Sequence, residues 1–311
     1  MVRSMVLYMV RRLVAALVVI WLAVSLAFIA LRWVPGDAVD ATMARSGASA
    51  AEIAARRTAL GLNDPLWRQY LAYLAGVVRG RWGESLVSGE PVGTEIRQNL
   101  GPTVTLASGA LLVALTLGMS LGVLAGAARW RLLRYPAEAT ASLALSTPVY
   151  WTATLAIYLF TTVLGVLPGV GGEGVRYLIL PACVLGFHTA GSIAHVTAES
   201  IRDAARQDFV RTARAKGLPE WDVLDHVLRV GLLPVIAVVA LQLGFLLGGT
   251  VITETIFVRR GLGRILLDAI SNRDYPVIQG IVALSALVYS LTNALADVLY
   301  RIVDPRVTGG R

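Results

Sequence analysis

DFVRTARAKGLPEWDVLDHVLRVGLLP, residues 208–234, is the stretch on which the reading of this chain turns. It is charged, broken by a glycine, and set between two apolar runs that are each long enough to cross a bilayer. Residues 201–216 are rich in Ala and Arg, both good helix formers, and are expected to continue the preceding apolar run as a helix. Gly217 ends that helix, because glycine takes the left-handed C′ conformation at little cost. Pro219 suits the first turn of a second short helix, whose positive N-terminal end favours Glu220 and Asp222. Trp221, Leu224 and Leu228 fall on one face of this helix and Asp222, Asp225 and Arg229 elsewhere. The expectation is a compact helix–turn–helix knob that another molecule grips. The plainer alternative is a basic loop resting on anionic headgroups.

The apolar runs on either side belong to a larger pattern. Of 311 residues, 56% are hydrophobic and 15% charged, with a mean hydropathy of +0.67. Soluble domains carry about 25% charged residues, so the deficit points to lipid as the main solvent. Spans are expected at 9–31, 103–128, 138–165, 178–200, 231–256 and 278–301. The fold class is therefore all-α, a polytopic membrane protein with six transmembrane helices. The first run follows Arg3, Arg11 and Arg12, but it is longer than the core of a signal peptide and lacks a small-residue cleavage site, so it is read as a retained anchor.

Charge sets the orientation. Arg129, Arg131 and Arg134 lie in the 129–137 loop, and Arg202, Arg206, Arg211, Arg214, Lys216 and Arg229 in the 201–230 loop. The positive-inside rule places these loops and both termini in the cytoplasm. Arg259, Arg260, Arg264 and Arg273, on a loop then external, argue the other way. The net charge of +8 comes almost wholly from arginines between apolar runs, which speaks for membrane orientation and against nucleic acid. Cys183 is the only cysteine, so neither a disulfide framework nor a zinc cluster of cysteines is available.

Three parts follow: 1–31 with the first span, an extracytoplasmic helical segment at 32–102, and a core at 103–311 with five spans and the 201–230 loop. Helices are expected at 49–60 and 65–79, separated by the turn-prone Gly61-Leu62-Asn63-Asp64-Pro65. Trp67, Tyr70, Leu71 and Leu74 recur at helical spacing and make one apolar face. About seventy residues build no large core, so this segment is expected to pack on the outer surface of the membrane part.

A second informative stretch is Gly248-Gly249-Thr250-Val251-Ile252-Thr253-Glu254-Thr255-Ile256-Phe257, continuing to Gly261-Leu262-Gly263-Arg264. Adjacent glycines late in a span permit close helix approach, and Glu254 is costly there unless it reaches the interface or a water-filled path.

The 208–234 stretch resembles the loop by which permease subunits of ABC importers dock onto their ATPase, with Arg211-Thr212-Ala213-x-x-x-Gly217 in the place of the EAA-x-x-x-G signature. The 248–264 stretch, completed by Asn272-Arg273-Asp274-Tyr275-Pro276, resembles the dipeptide/oligopeptide/nickel branch of that family. Arg11-Arg12, Val34-Pro35-Gly36-Asp37, Leu60-Gly61-Leu62-Asn63-Asp64-Pro65 with Gln69-Tyr70-Leu71, Gly83-Glu84-Ser85-Leu86 and Asp304-Pro305-Arg306 fit the same branch in order and spacing. Arg211 and Thr212 depart from the wider superfamily, where Glu and Ala stand.

The resemblance implies a type I importer permease in the bacterial inner membrane, paired with a homologous second permease. It also implies two cytoplasmic ATPase subunits and an external solute-binding protein. It makes Arg206, Asp208, Phe209, Arg211, Thr212, Ala213, Lys216, Gly217, Leu218 and Trp221 the candidate ATPase-coupling residues. The cargo it implies is peptide, with nickel or metal chelates as the alternative. No cofactor is implied for this chain; ATP and Mg belong to the partner ATPases. The residues agree, since a phosphate-binding loop needs Gly-Lys followed by Ser or Thr, and the sole lysine, Lys216, is followed by Gly217. An ion-coupled secondary transporter would typically need carboxylates at the bilayer midplane, whereas Glu199 and Glu254 lie near span ends. A membrane enzyme fails on parts: His188, His195 and His226 form no HExxH.

In the fourth span His188, Ser192, His195 and Glu199 recur at offsets of 0, 4, 7 and 11 and form one polar stripe. His188 and His195 lie about 10 Å apart along the axis, too far to share an ion. His195 and Glu199 alone make a poor metal cage. The stripe is expected to line the solute path or meet the partner permease, with Glu199 paired to a neighbouring arginine.

Overall fold

The computed structural model describes residues 2–33, 49–59, 61–128, 130–172 and 174–303. Val34-Pro35-Gly36-Asp37, Leu60, Arg129 and Asp304-Pro305-Arg306 lie outside the described residues. Among the described residues the chain is helical, with an isolated antiparallel bridge between Glu84 and Pro91. The helices are α1 (Val2–Trp33), α2 (Ala50–Ala59), α3 (Leu66–Val78), α4 (Val92–Ala127), α5 (Arg131–Ser146) and α6 (Val149–Ile157). They continue with α7 (Val175–Ala205), α8 (Asp208–Ala215), α9 (Glu220–Gly231), α10 (Leu233–Ile256), α11 (Leu262–Asn272) and α12 (Tyr275–Val303). A π-helical stretch, Tyr158–Val163, extends α6.

Among the described residues four helices are long and apolar enough to cross a membrane: Val10–Trp33 of α1, α4, α7, and Tyr275–Ala296 of α12. Two bent pairs, α5 with α6 and its π-helical extension, and α9 with the first part of α10, bring the number to six if each is one span. The span expected over 138–165 is built of two helices bent by 106°. Pro148 is the cause. The residue before a proline is pushed out of the helical region, and Thr147 is extended at φ −88°, ψ 136°. Pro148 itself, at ψ 139°, caps the new helix. The second span also starts earlier than expected: α4 runs 36 residues from Val92, about 54 Å at 1.5 Å per residue. The stretch between Phe257 and Pro276, read as a loop, holds α11.

The chain divides into two compact units, Met1–Thr103 with Arg260–Leu291, and Val104–Arg259 with Thr292–Arg311. In the first, Val92 and Ile96 of α4 pack on Leu262 and Ala269 of α11 and on Val277, Ile278 and Ile281 of α12. Gly280 lets the chains close: an added Cβ would stand 2.6 Å from Cγ1 of Val92. Two stretches noted in the sequence meet here. Asp274, buried at the α11–α12 turn, accepts hydrogen bonds from the Ser85 hydroxyl and from the Leu86 amide at 3.1 Å. The N-terminus of α11 is held by Thr103, whose Oγ1 accepts the Leu262 amide at 2.8 Å. At α2, Ser49 and Glu52 form a capping box, with the Ser49 amide 2.7 Å and hydroxyl 2.8 Å from the Glu52 carboxylate. These hydrogen bonds hold the Glu52 carboxyl below its usual range.

In the second unit α7 packs against α5, α6, α9 and α10. Its inward face is built of small residues: Ala182, Gly186, Ala190, Gly191, Ala194 and Ala198 are buried. The facing stripe of α4 is Gly118, Gly122 and Gly126, where an added Cβ would stand 2.9 Å from the Ala190 carbonyl, 2.4 Å from Thr197 Cβ and 2.9 Å from the Ala198 carbonyl. Lipid gives apolar side chains no reason to associate, so contact of this kind, with backbone close to backbone, supplies the attraction between spans.

Candidate functional site

The knob forms, with one departure from the expected local structure and one addition to it. α7 does not run through to Gly217: it stops at Ala205, Gln207 is extended at φ −72°, ψ 155°, and α8 starts afresh at Asp208. At the far end of α8 the expected stop is present. Gly217 has φ +77°, its amide bonds the Arg214 carbonyl at 2.9 Å, and the Leu218 amide bonds the Ala213 carbonyl at 3.2 Å. This is the Schellman arrangement, which satisfies carbonyls the helix end leaves open. α9 begins after Pro219 with Glu220 and Asp222 in its first turn. Arg214 and Glu220 face each other across the turn at 3.2 Å; both are half exposed, so the pair contributes little to stability.

The addition concerns α9, for which the sequence named an apolar face, Trp221, Leu224 and Leu228, without assigning a buried one. The buried face is Val223, Val227 and Gly231, with Leu224 and Leu228 half-buried and Trp221 81% exposed. The reason lies in α7. Val223 and Val227 join Ile201, Ala204 and Val210 in one core cluster, and a Cβ on Gly231 would stand 3.0 Å from the Ile201 Cα. Small and β-branched residues allow that approach; the bulkier Trp221 is displaced outward.

The ten candidate coupling residues separate into two sets. Phe209, Ala213 and Leu218 turn inward onto the cluster around Ile201. Arg206, Asp208, Arg211, Thr212, Lys216, Gly217 and Trp221 are exposed. Asp208 and Arg211 stand 3.9 Å apart and are almost fully solvated, a weak pair that leaves both groups available. The outward surface thus carries Arg206, Arg211, Arg214 and Lys216 beside one indole. An aromatic ring among arginines on a rigid base is the composition of a binding surface.

The polar stripe of α7 divides along its length. His188 is half-buried, its Nε2 2.6 Å from the hydroxyl of Thr152 on α6. Ser192 is half-buried, and His195 and Glu199 are exposed. The expected arginine partner of Glu199 is not found: it forms no ion pair among the described residues. Arg202, three residues on, instead approaches Glu138 of α5 at 3.8 Å, and Glu138 also takes Arg134 at 3.0 Å. Among the described residues no three His, Cys, Asp or Glu side chains gather in a way that would hold a metal.

Glu254, read as costly unless it reaches the interface or a water-filled path, is fully buried within the chain, with Thr250 and Thr253 beside it in sequence also buried. Its charge is felt by Arg259, whose Nη1 donates to the Tyr177 carbonyl at 3.3 Å. Burial lowers the proton affinity of that guanidinium and the Glu254 charge partly restores it. Sequence reasoning missed Thr152, Glu138 and the α4 glycines. Only the last left a local signal, three glycines at i, i+4 and i+8 in an apolar run.

Comparison with known proteins gives a consistent result. Residues 118–309 match the family described as binding-protein-dependent transport system inner membrane component, and residues 5–106 match the N-terminal component of such membrane proteins. The glutathione transport system permease protein GsiC of Escherichia coli K12 is 38% identical over 96% of this chain and 98% of its own length. The GsiC of Salmonella choleraesuis SC-B67 gives the same values. Among solved structures, an amino acid ABC transporter with histidines aligns with a TM-score of 0.52 at 14% identity, covering 68% of this chain and 94% of the other. The methionine ABC transporter MetNI in inward-facing conformations aligns at 0.56 and 18%, covering 68% and 96%.

Proposed function

This chain belongs to the binding-protein-dependent inner membrane components, a family of multi-pass permease subunits of ABC importers, and from that premise we propose how its parts divide the work. The outward surface of α8 and α9, with Arg206, Arg211, Lys216 and Trp221, docks into a cytoplasmic ATPase subunit. The stripe of His188, Ser192, His195 and Glu199 faces a second, homologous permease and lines the solute path between them. Both termini are cytoplasmic. The cargo is a small peptide delivered by an external binding protein, a reading supported by the glutathione permeases that match almost the whole chain.

The observation that carries this reading is the two-sided knob. Its inward residues bind it to α7 through Ile201 and Ala204, and α9 leads through Leu232 into α10. A push on Trp221 and the arginines therefore reaches α7 and α10 without an intervening flexible loop. α7 carries the stripe, so closure of the ATPases below reorients His195 and Glu199 toward or away from the path. Polar side chains within a span are costly against lipid and tend to face a bundle interior or water, which is why the exposed half of the stripe belongs at a protein-lined path. The chain binds no nucleotide in this scheme; hydrolysis takes place in the partner.

A photo-crosslinking amino acid in place of Trp221, in the assembled transporter, tests the docking step. The expected product is an adduct with the ATPase subunit. Adducts with lipid alone would assign the knob to the headgroup surface instead.

A further inference from the structure

α3 presents an apolar face that is largely exposed among the described residues. At 100° per residue Trp67, Leu71, Leu74 and Val78 fall within about 60° of one another. Leu74 is half-buried, and Trp67, Leu71 and Val78 are exposed. About 100° round the helix, Tyr70 and Tyr73 turn to α1. The Tyr70 hydroxyl lies 2.7 Å from Ser25 Oγ, and both rings pack on Phe28 with centroids 5.4 and 5.7 Å away. Ser25 and Phe28 are part of the α1 span and lie about 8 to 12 Å along its axis from Trp33, the end of the helix. A span of 24 residues is about 36 Å long and the hydrocarbon core about 30 Å thick, so this contact falls in the outer part of the leaflet, just below the headgroups. α1 is itself bare there: Leu22, Leu26 and Ile29 are exposed, so the apolar face of α3 adjoins a surface that meets lipid.

The charges on and after α3 fit the same neighbour. Arg68, Arg79 and Arg81 are exposed, and no Asp or Glu occurs between Pro65 and Trp82. The Arg68 guanidinium stands 5.2 Å above the Trp67 ring, which puts a cation directly beside an indole at the edge of the apolar face. Indoles and arginine stems are the side chains that settle at the headgroup level, ring or stem in the hydrocarbon edge and polar end outward. A basic helix with one apolar face that lies in the interface plane has this composition.

We propose that α3 is an interfacial helix, sunk by Trp67, Leu71, Leu74 and Val78 into the leaflet that the Trp33 end of α1 reaches. Arg68, Arg79 and Arg81 meet the lipid phosphates. The segment between the first two spans is then anchored to the bilayer as well as to α1, and its height above the membrane is fixed.

The test uses the full chain in its assembled transporter, with Cys183→Ala and one new cysteine carrying an environment-sensitive fluorophore, in nanodiscs of phosphatidylcholine and phosphatidylglycerol. Leu71→Cys reads the apolar face and Ala72→Cys, exposed and 100° away, reads the opposite flank. The expected result is blue-shifted emission at position 71, lost to shallow doxyl-labelled lipid and resistant to aqueous iodide, with the reverse at position 72. Should Leu71→Cys fail to assemble, Val78→Cys reads the same face. Iodide quenching of every position would overturn the proposal. So would protection of 71 and 78 from both quenchers that disappears when the binding protein is removed, because a protein would then be the occupant.

Discussion

α1 and α7 both cross the membrane, and they do so on opposite terms. The α1 span has a mean hydropathy of 2.8 and is 11% buried; the α7 span has 1.5 and is 61% buried. In a soluble protein the more apolar helix would be the inner one. Here the order is reversed, because lipid is as apolar as leucine and hydrophobicity alone gives a helix no reason to leave it. α1 is largely Leu, Val and Ala turned to lipid. α7 is admitted to the interior by its small residues, which let α4 and α5 approach its backbone, and this leaves room for a polar stripe on its remaining face. What distinguishes a working span from an anchoring one in this chain is therefore small side chains and polarity, not apolar content.

Substitution separates the two cases. Gly122→Val should have the largest effect, because the first added carbon already stands 2.4 Å from Thr197 Cβ and 2.8 Å from the Ala194 carbonyl. Forcing α4 and α7 apart is expected to cost about 3 kcal/mol or more and to abolish recovery of folded transporter in detergent, read by size-exclusion chromatography. A monodisperse variant with an unchanged melting temperature would remove the close contact from the account. His195→Ala should act on transport and not on folding. Uptake in proteoliposomes is expected to fall by about two- to tenfold, the worth of one polar contact, with the melting temperature unmoved. A variant indistinguishable in uptake would take the stripe out of the solute path. The smallest effect belongs to α1: Leu17→Ala, at a site 58% exposed, is expected to change stability by less than about 0.5 kcal/mol. A large loss there would mean that a protein, not lipid, covers α1.

Much of this was legible in the sequence, and what was not has identifiable causes. Gly217 gave the end of α8 correctly because its local conformation depends on the residue itself. Long apolar runs gave the spans for the same reason. Pro148 stands inside the 138–165 run, but whether the run bends by a few degrees or by 106° depends on what packs behind it. The first turns of α4 escaped because Glu95, Arg97, Gln98 and Asn99 look like a loop until Val92 and Ile96 are seen facing α11 and α12. The buried face of α9 is not legible in the sequence for a related reason. Apolar size favoured Trp221 and Leu224, but the close approach to Ile201 favoured Val223, Val227 and Gly231. Contacts between distant segments, such as Ser85 with Asp274 and Thr152 with His188, leave no trace in spacing along the chain.

The central claim is that the 206–221 knob passes ATPase motion to α7 and α10 as a rigid body, and Gly217→Val addresses it most directly. The site has open space around it, so the substitution acts through the backbone: φ +77° is a conformation that a β-branched residue strongly resists. Peptide uptake and binding-protein-stimulated ATP hydrolysis should be measured together in proteoliposomes of the assembled transporter. The account predicts normal membrane insertion and assembly, with uptake and stimulated hydrolysis both collapsing. Wild-type uptake coupled to wild-type hydrolysis in that variant would contradict it.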